Sequence, residues 1–130
     1  QGFGYRTSAF QQQGDVILKT VFQLTPDDPA AIRARMSDLA DRRRASQPLT
    51  LPSAGSTFKR PQGGYAAALI DGAGLKGLRV GGACISEKHA GFVVNDGGAT
   101  CADVLALIAE IQKRVYDHSG IHLEPEVRIL

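Results

Sequence analysis

Residues 78–95 read LRVGGACISEKHAGFVVN, three short apolar runs separated by turn residues. Residues 78–80, 83–86 and 92–95 are rich in β-branched, small apolar and aromatic side chains, and each is read as a strand. Gly81-Gly82 and residues 88–91 divide them, and Asp96-Gly97-Gly98 supplies the next turn. On the N-terminal side, residues 65–71 (YAAALID) form an alanine-rich helix stopped by Gly72 or Gly74. On the C-terminal side, Thr100 followed three residues later by Asp103 has the form of a capping box. A helix is therefore expected from Cys101, with Val104, Leu107, Ile108, Ile111 and Val115 on its buried face and Gly120 ending it after Lys113 and Arg114.

Further out, Leu123, Val127 and Ile129 alternate with Glu124, Glu126 and Arg128, so residues 121–130 read as a half-buried strand. Pro125 puts that strand at an edge. Residues 16–24 (VILKTVFQL) read as another strand, ended by Pro26. Asp28 then caps a helix with Pro29 at its first position, Ile32, Met36 and Leu39 as its buried stripe, and Arg42, Arg43 and Arg44 closing it. Residues 45–51 are a polar, Pro-bounded connector and the main domain boundary. Helices and short strands alternate without regular βαβ spacing, which predicts an α+β fold: a small mixed or antiparallel sheet packed with two or three helices.

Composition narrows the classes of function. The 130 residues suffice for one domain, and a formal charge of +2 is too small to argue for nucleic acid or a membrane surface. Cys84 and Cys101 form neither a disulfide framework nor a zinc knuckle and are read as free thiols of a reducing cytoplasm. Neither a bilayer-spanning run nor a signal peptide is legible. The chain opens at Gln1 rather than Met, and a longer parent is expected.

The densest chemistry lies in residues 52–61, PSAGSTFKRP. Ala54 and Gly55 allow close backbone approach, Ser56 offers a hydroxyl, and Lys59 and Arg60 offer positive charge. That set suits an anionic substrate that must be held or protonated; the plainer reading is a basic surface loop. Ser56 and Lys59 also match the Ser-x-x-Lys of serine acyltransferases, but Pro61 opposes a shared helical turn and the companion motifs are missing. Residues 72–77 (GAGLKG) match a dinucleotide fingerprint in letters only, because the helix precedes the glycines. His118 and His122 straddle Gly120 and are not read as metal ligands; no metal is expected. His89 lies in a polar turn, and Glu124 and Glu126 share one strand face, each with a solvated alternative.

Several segments together resemble the UDP-N-acetylenolpyruvoylglucosamine reductase (MurB) family of peptidoglycan synthesis. They are GYRTSAF (4–10), AGSTFKRP (54–61), LIDGAGLKG (69–77), GGACISEKHAGFVVN (81–95) and LEPEVRIL (123–130), in the family's order and over nearly the whole chain. The resemblance implies the C-terminal part of a two-stage flavoenzyme: NADPH reduces FAD, and hydride then passes to the enolpyruvyl double bond of a UDP-sugar, giving UDP-N-acetylmuramate. It implies residues 1–25 as the tail of the FAD-binding domain, 26–48 as a linker helix and 49–130 as the substrate-binding domain. FAD and NADPH belong to the full-length enzyme, and neither flavin retention nor NADPH oxidation is expected of this chain alone.

By the same resemblance Ser56 is the proton donor, and Arg6 and Glu126 stabilise the enol-like intermediate. Tyr5, Lys59, Arg60 and His89 fall at the substrate, although Arg60 stands where some members carry the asparagine that touches the diphosphate. Charge developing on the substrate's carboxylate would suit a bidentate arginine. Glu126 would help only as a neutral acid able to donate a hydrogen bond, kept so by desolvation or by a like charge, for which Glu124 or the substrate is the candidate source. A stand-alone sugar-nucleotide-binding module is the alternative.

Overall fold

A computed structural model describes residues 1–129. The elements in chain order are α1 (Ala9–Gln13), α2 (Pro29–Ser46), β1 (Ser53–Ser56), α3 (Ala66–Gly72), β2 (Arg79–Val80), β3 (Ala83–Ile85), β4 (Phe92–Asn95) and α4 (Cys101–Ser119). The chain divides into two compact units, Gln1–Ala34 and Arg35–Leu130.

In the second unit the strands form an antiparallel sheet in the order β1-β4-β3-β2. The strands expected in residues 78–95 form within a residue of their expected limits, because each apolar run is short and each break carries glycine or a polar turn. Alternation along β3 and β4 divides their side chains between two faces. Ala83, Ile85 and Val93 join the main core with Ile70, Leu107, Ile108, Ile111 and Val115, while Cys84, Phe92 and Val94 make a second buried cluster. Burial pushes the Cys84 thiol above its ordinary value.

The long helix α4 begins where its cap predicts. The Thr100 hydroxyl accepts from Asp103 N–H at 3.1 Å, and the Asp103 carboxylate accepts from Thr100 N–H at 2.8 Å. Leu107, Ile111 and Val115 are fully buried, each worth about 1.5–3 kcal/mol of apolar transfer, and Gly120 closes the helix at φ 70°. Hydrogen bonds from Thr100 N–H, the Thr100 hydroxyl and Gly82 N–H hold the Asp103 carboxyl below the usual carboxylate range. Its stabilising contribution is thus complete at neutral pH and is lost as pH falls through the ordinary carboxylate range to its depressed value. In acid-unfolding curves, Asp103→Asn should be less stable than the parent at neutral pH and converge with it in strong acid; a gap that stays constant would contradict this assignment.

Several expectations are corrected. Residues 16–24 form no strand: Val16, Leu18, Val21, Phe22 and Leu24 are all strongly exposed. β-propensity lets a segment become a strand, but a ladder partner makes it one, and none pairs with this segment among the described residues. The cap of α2 forms, with Asp28 accepting from Ala30 and Ala31 N–H, yet Ile32, Met36 and Leu39 are exposed at 37%, 65% and 63%. That helix carries local ion pairs such as Arg42–Asp38 at 2.8 Å, and among the described residues nothing covers its apolar stripe. Residues 9–13, to which no element is assigned from the sequence, form α1.

At the other end, residues 121–129 form no strand beyond a single bridge between Phe58 and Pro125. Pro125 has no N–H to continue a ladder, and Leu130, the last residue of the expected strand, lies outside the described residues. Conversely, residues 53–56, read as loop, form β1. Ser53 pairs with Val94 and Ser56 with Phe92, so β1 carries one extra residue across that span. Gly55 absorbs it at φ 87°, a value that favours glycine.

Candidate functional site

The site is built on the end of β1. Beyond the bulge Ser56 is exposed, whereas the next two residues, Thr57 and Phe58, are buried at 2% and 4%. Phe58 enters the main core. Thr57 has no apolar reason to be inside, and its polar atoms explain its burial. Its N–H donates to Gly91 O at 2.9 Å, its hydroxyl accepts from Val93 N–H at 3.1 Å, and its carbonyl accepts from Glu126 N–H at 2.8 Å. One residue thereby fastens β1 to the loop before β4, to β4 itself and to the C-terminal segment.

That junction brings two of the expected residues close along the backbone. Ser56 directly precedes Thr57, and Glu126 bonds to Thr57 from a half-buried position. Lys59 N–H bonds to Glu124 O at 2.8 Å, and the Lys59 ammonium pairs with the Glu124 carboxylate. Glu124, offered as a like charge beside Glu126, is thus engaged by a cation. Lys59 shares no helical turn with Ser56, which ends a strand, so the Ser-x-x-Lys reading has no geometric support.

Arg60 stacks its guanidinium on the Tyr65 ring at 4.1 Å and donates from Nε to Gly64 O at 3.2 Å. It is held ready as a fixed cation on the rim of the same loop. His89 is half-buried, edge-on to Phe92 with ring centroids 4.9 Å apart, and its Nδ1 accepts from Gly91 N–H at 3.1 Å. Tyr5 and Arg6 belong to the first unit, in the turn bridged by Gly4 and Thr7. Arg6 sits at φ 57°, the left-handed region, which costs an arginine backbone strain, and its guanidinium lies 5.8 Å from the Tyr5 ring.

Two hollows lie in the second unit. A largely apolar groove of about 390 Å³ runs beside β1, lined by Ala54, Thr57, Val94, Asn95, Val104 and Val127 among others. A shallower hollow of about 200 Å³ is lined by Asp71, Lys76, Lys88 and His89 with small residues of α3. Among the described residues no group of three or more His, Cys, Asp or Glu could hold a metal ion, and no helix is long and apolar enough to cross a membrane. His122 instead stacks on Tyr116 at 4.0 Å.

Thr57 is the residue that sequence reasoning missed. Its only signal was a hydroxyl between Ser56 and a core phenylalanine, and a β-branched polar residue there reads equally well as exposed.

Residues 47–130 match the family model described as UDP-N-acetylenolpyruvoylglucosamine reductase, C-terminal domain. Over 128 residues the chain is 55% identical to a UDP-N-acetylenolpyruvoylglucosamine reductase of Levilactobacillus brevis, covering 98% of this chain and 42% of that one. A Clostridium perfringens protein with the same description is 49% identical over 127 residues, again 98% and 42%. The chain therefore spans about two fifths of the length of these curated relatives. The crystal structure of UDP-N-acetylenolpyruvylglucosamine reductase (MurB) from Thermus caldophilus superposes with a TM-score of 0.77 at 41% identity, covering 98% of this chain and 46% of that one. With the family model matching well over half of its residues, and an antiparallel sheet and helices that superpose on a solved member, this chain belongs to the UDP-N-acetylenolpyruvoylglucosamine reductase C-terminal domain family.

Proposed function

We propose that this chain is the substrate-side part of a cytoplasmic, flavin-dependent, NADPH-using reductase that converts UDP-N-acetylglucosamine enolpyruvate to UDP-N-acetylmuramate for peptidoglycan. Residues 1–25 then belong to the flavin-binding domain, 26–48 form the linker helix and 49–130 bind the substrate. The observation that carries this reading is the Thr57 junction, which ties the backbone next to Ser56 and the Glu126 segment to one buried point in a fold shared with the family.

The glycines that match a dinucleotide fingerprint in letters do not fit a flavin's pyrophosphate. The glycine-rich turn after α3 spends its amides on the fold, Gly77 N–H bonding to Ile85 O and Gly74 N–H to Asp71 O, rather than presenting them to a pyrophosphate. A flavin bound by the whole enzyme would supply the hydride chemistry, and the tasks that remain would fall to this chain. The carbon beside the carboxylate must receive a proton, and the charge that spreads into the carboxylate must be offset. Ser56 holds the proton at Oγ, and its exposed place at a strand end leaves it reachable by substrate. Arg6 offers the carboxylate a two-pronged cation, and Glu126 a hydrogen bond. Tyr5, Lys59 and Arg60 line the substrate in this reading, with Arg60 held by Tyr65 as a fixed counter-charge for the diphosphate.

The test joins this chain to the N-terminal remainder of the Levilactobacillus brevis relative and follows NADPH oxidation with and without the UDP-sugar enolpyruvate. The joined protein should be yellow and should consume NADPH beyond one equivalent per flavin only when the sugar nucleotide is present, while the 130-residue chain alone should retain no stoichiometric flavin. A joined protein that holds flavin but ignores the enolpyruvate would contradict the reading. Binding of the UDP-sugar by the isolated chain, without turnover in the joined protein, would favour the stand-alone binding module.

A further inference from the structure

We infer that His89 is a positioning residue for the reaction rather than a substrate contact, acting through Gly91 and Thr57 on the place of Ser56. This rests on the functional reading above only for its kinetic consequence.

The linkage is a continuous run of hydrogen bonds. Ser86, buried at 5%, turns the loop after β3: its hydroxyl accepts from the N–H groups of Lys88 and His89 at 3.2 and 3.3 Å. His89 O accepts from Phe92 N–H at 3.0 Å, closing the loop onto β4. Inside that loop His89 Nδ1 accepts from Gly91 N–H at 3.1 Å. Gly91 is thereby held on both sides, its own N–H by the imidazole and the next peptide by the Phe92 N–H bond to His89 O, and the carbonyl of that next peptide accepts from Thr57 N–H at 2.9 Å. Ser56 is the residue before that N–H, and Glu126 N–H closes on the carbonyl of the same threonine at 2.8 Å.

Two features make the imidazole specific here. An accepting Nδ1 carries no proton, so neutral His89 is the Nε2–H tautomer, and its acceptor is committed to the chain. Gly91 also leaves no slack. A Cβ on it would lie 3.0 and 3.2 Å from His89 Cε1 and Nδ1 and 3.3 Å from the Ala67 Cβ, so the Cε1–Nδ1 edge of the ring sits close against Gly91. The ring's edge-on contact with Phe92, whose residue pairs with Ser56 across β1 and β4, braces the same corner from the second buried cluster.

Two variants separate the roles. His89→Phe keeps the ring and its contact with Phe92 but removes the acceptor, whereas His89→Asn keeps an acceptor at the same distance from Cβ as Nδ1. In the 130-residue chain, ¹⁵N NMR should show the Nε2–H tautomer at His89. Thr57 N–H exchange should accelerate several-fold in the phenylalanine variant and return toward the parent in the asparagine variant. In the joined reductase, His89→Phe should lower kcat about ten- to a hundredfold with KM nearly unchanged, since misplacing a reacting group by about 1 Å costs rate rather than binding. His89→Asn should recover most of that loss.

A parent protonated at Nδ1, or a phenylalanine variant with unchanged Thr57 exchange, would overturn the linkage. A loss that appears in KM instead of kcat, and is not rescued by asparagine, would assign His89 to the substrate and overturn the positioning role. If Ser56→Ala left turnover intact, the role given to Ser56 would fall, while tautomer and exchange would still decide the linkage.

Discussion

Ser56→Ala in the joined reductase should lower turnover about a hundredfold or more, the usual cost of removing one positioned proton donor or charge-stabilising group. Ser56 is exposed at the end of β1, so deleting its hydroxyl leaves no cavity and no buried polar group without a partner. The denaturation midpoint of the chain should therefore stay within the ordinary scatter of surface substitutions, and the kinetic loss cannot be put down to unfolding. The loss should lie in kcat, because proton delivery follows substrate binding. Flavin reduction by NADPH, followed in the absence of the sugar nucleotide, should be unaffected. Full turnover in the alanine variant would mean that the proton comes from elsewhere.

Gly82→Ala should destabilise the second unit by about 3 kcal/mol, at the upper end of what overpacking costs. An added Cβ would lie 2.4 Å from Ala99 N, 2.4 Å from Gly97 O and 2.8 Å from Ala99 Cα. All three are backbone atoms, so no side chain can rotate away. The loop they belong to is itself tied down: Gly82 O accepts from Asp96 N–H at 3.0 Å, and Asn95 Oδ1 accepts from Gly97 and Ala99 N–H at 3.1 Å each. Any shift is passed to the cap of α4, which begins at Thr100. Urea unfolding reads the effect directly. Gly72→Ala is the control, because its Cβ would meet nothing within 4 Å at the end of α3, and it should be neutral or gain about 0.5–1 kcal/mol. Equal midpoints for the two variants would refute the close approach.

The elements that were legible are those whose signals are local. The capping box at Thr100, the stripe of α4 and the glycine breaks between β2, β3 and β4 each act within a few residues, and each formed where expected. The elements that misled depend on a partner. Among the described residues, 16–24 have strand chemistry without a ladder, and Ile32, Met36 and Leu39 have a helical stripe without a surface to cover. The opposite error occurred at β1, where Ser53, Ala54, Gly55 and Ser56 have poor strand chemistry, yet pairing with β4 through a glycine bulge makes a strand of them.

The same division holds at the site. From the letters alone came the membership of the family, the grouping of Ser56, Lys59 and Arg60 in one short loop, and the rejection of the glycine-rich turn as a nucleotide cradle. Tertiary structure alone decided that Lys59 answers Glu124, that Arg60 rests on Tyr65, and that a buried threonine joins β1, the loop holding His89 and the segment holding Glu126. The physical reason is range: caps, turns and periodicity are set by neighbours along the chain, whereas the partner of a buried hydroxyl or a surface cation is chosen by whatever packing brings within about 3 Å.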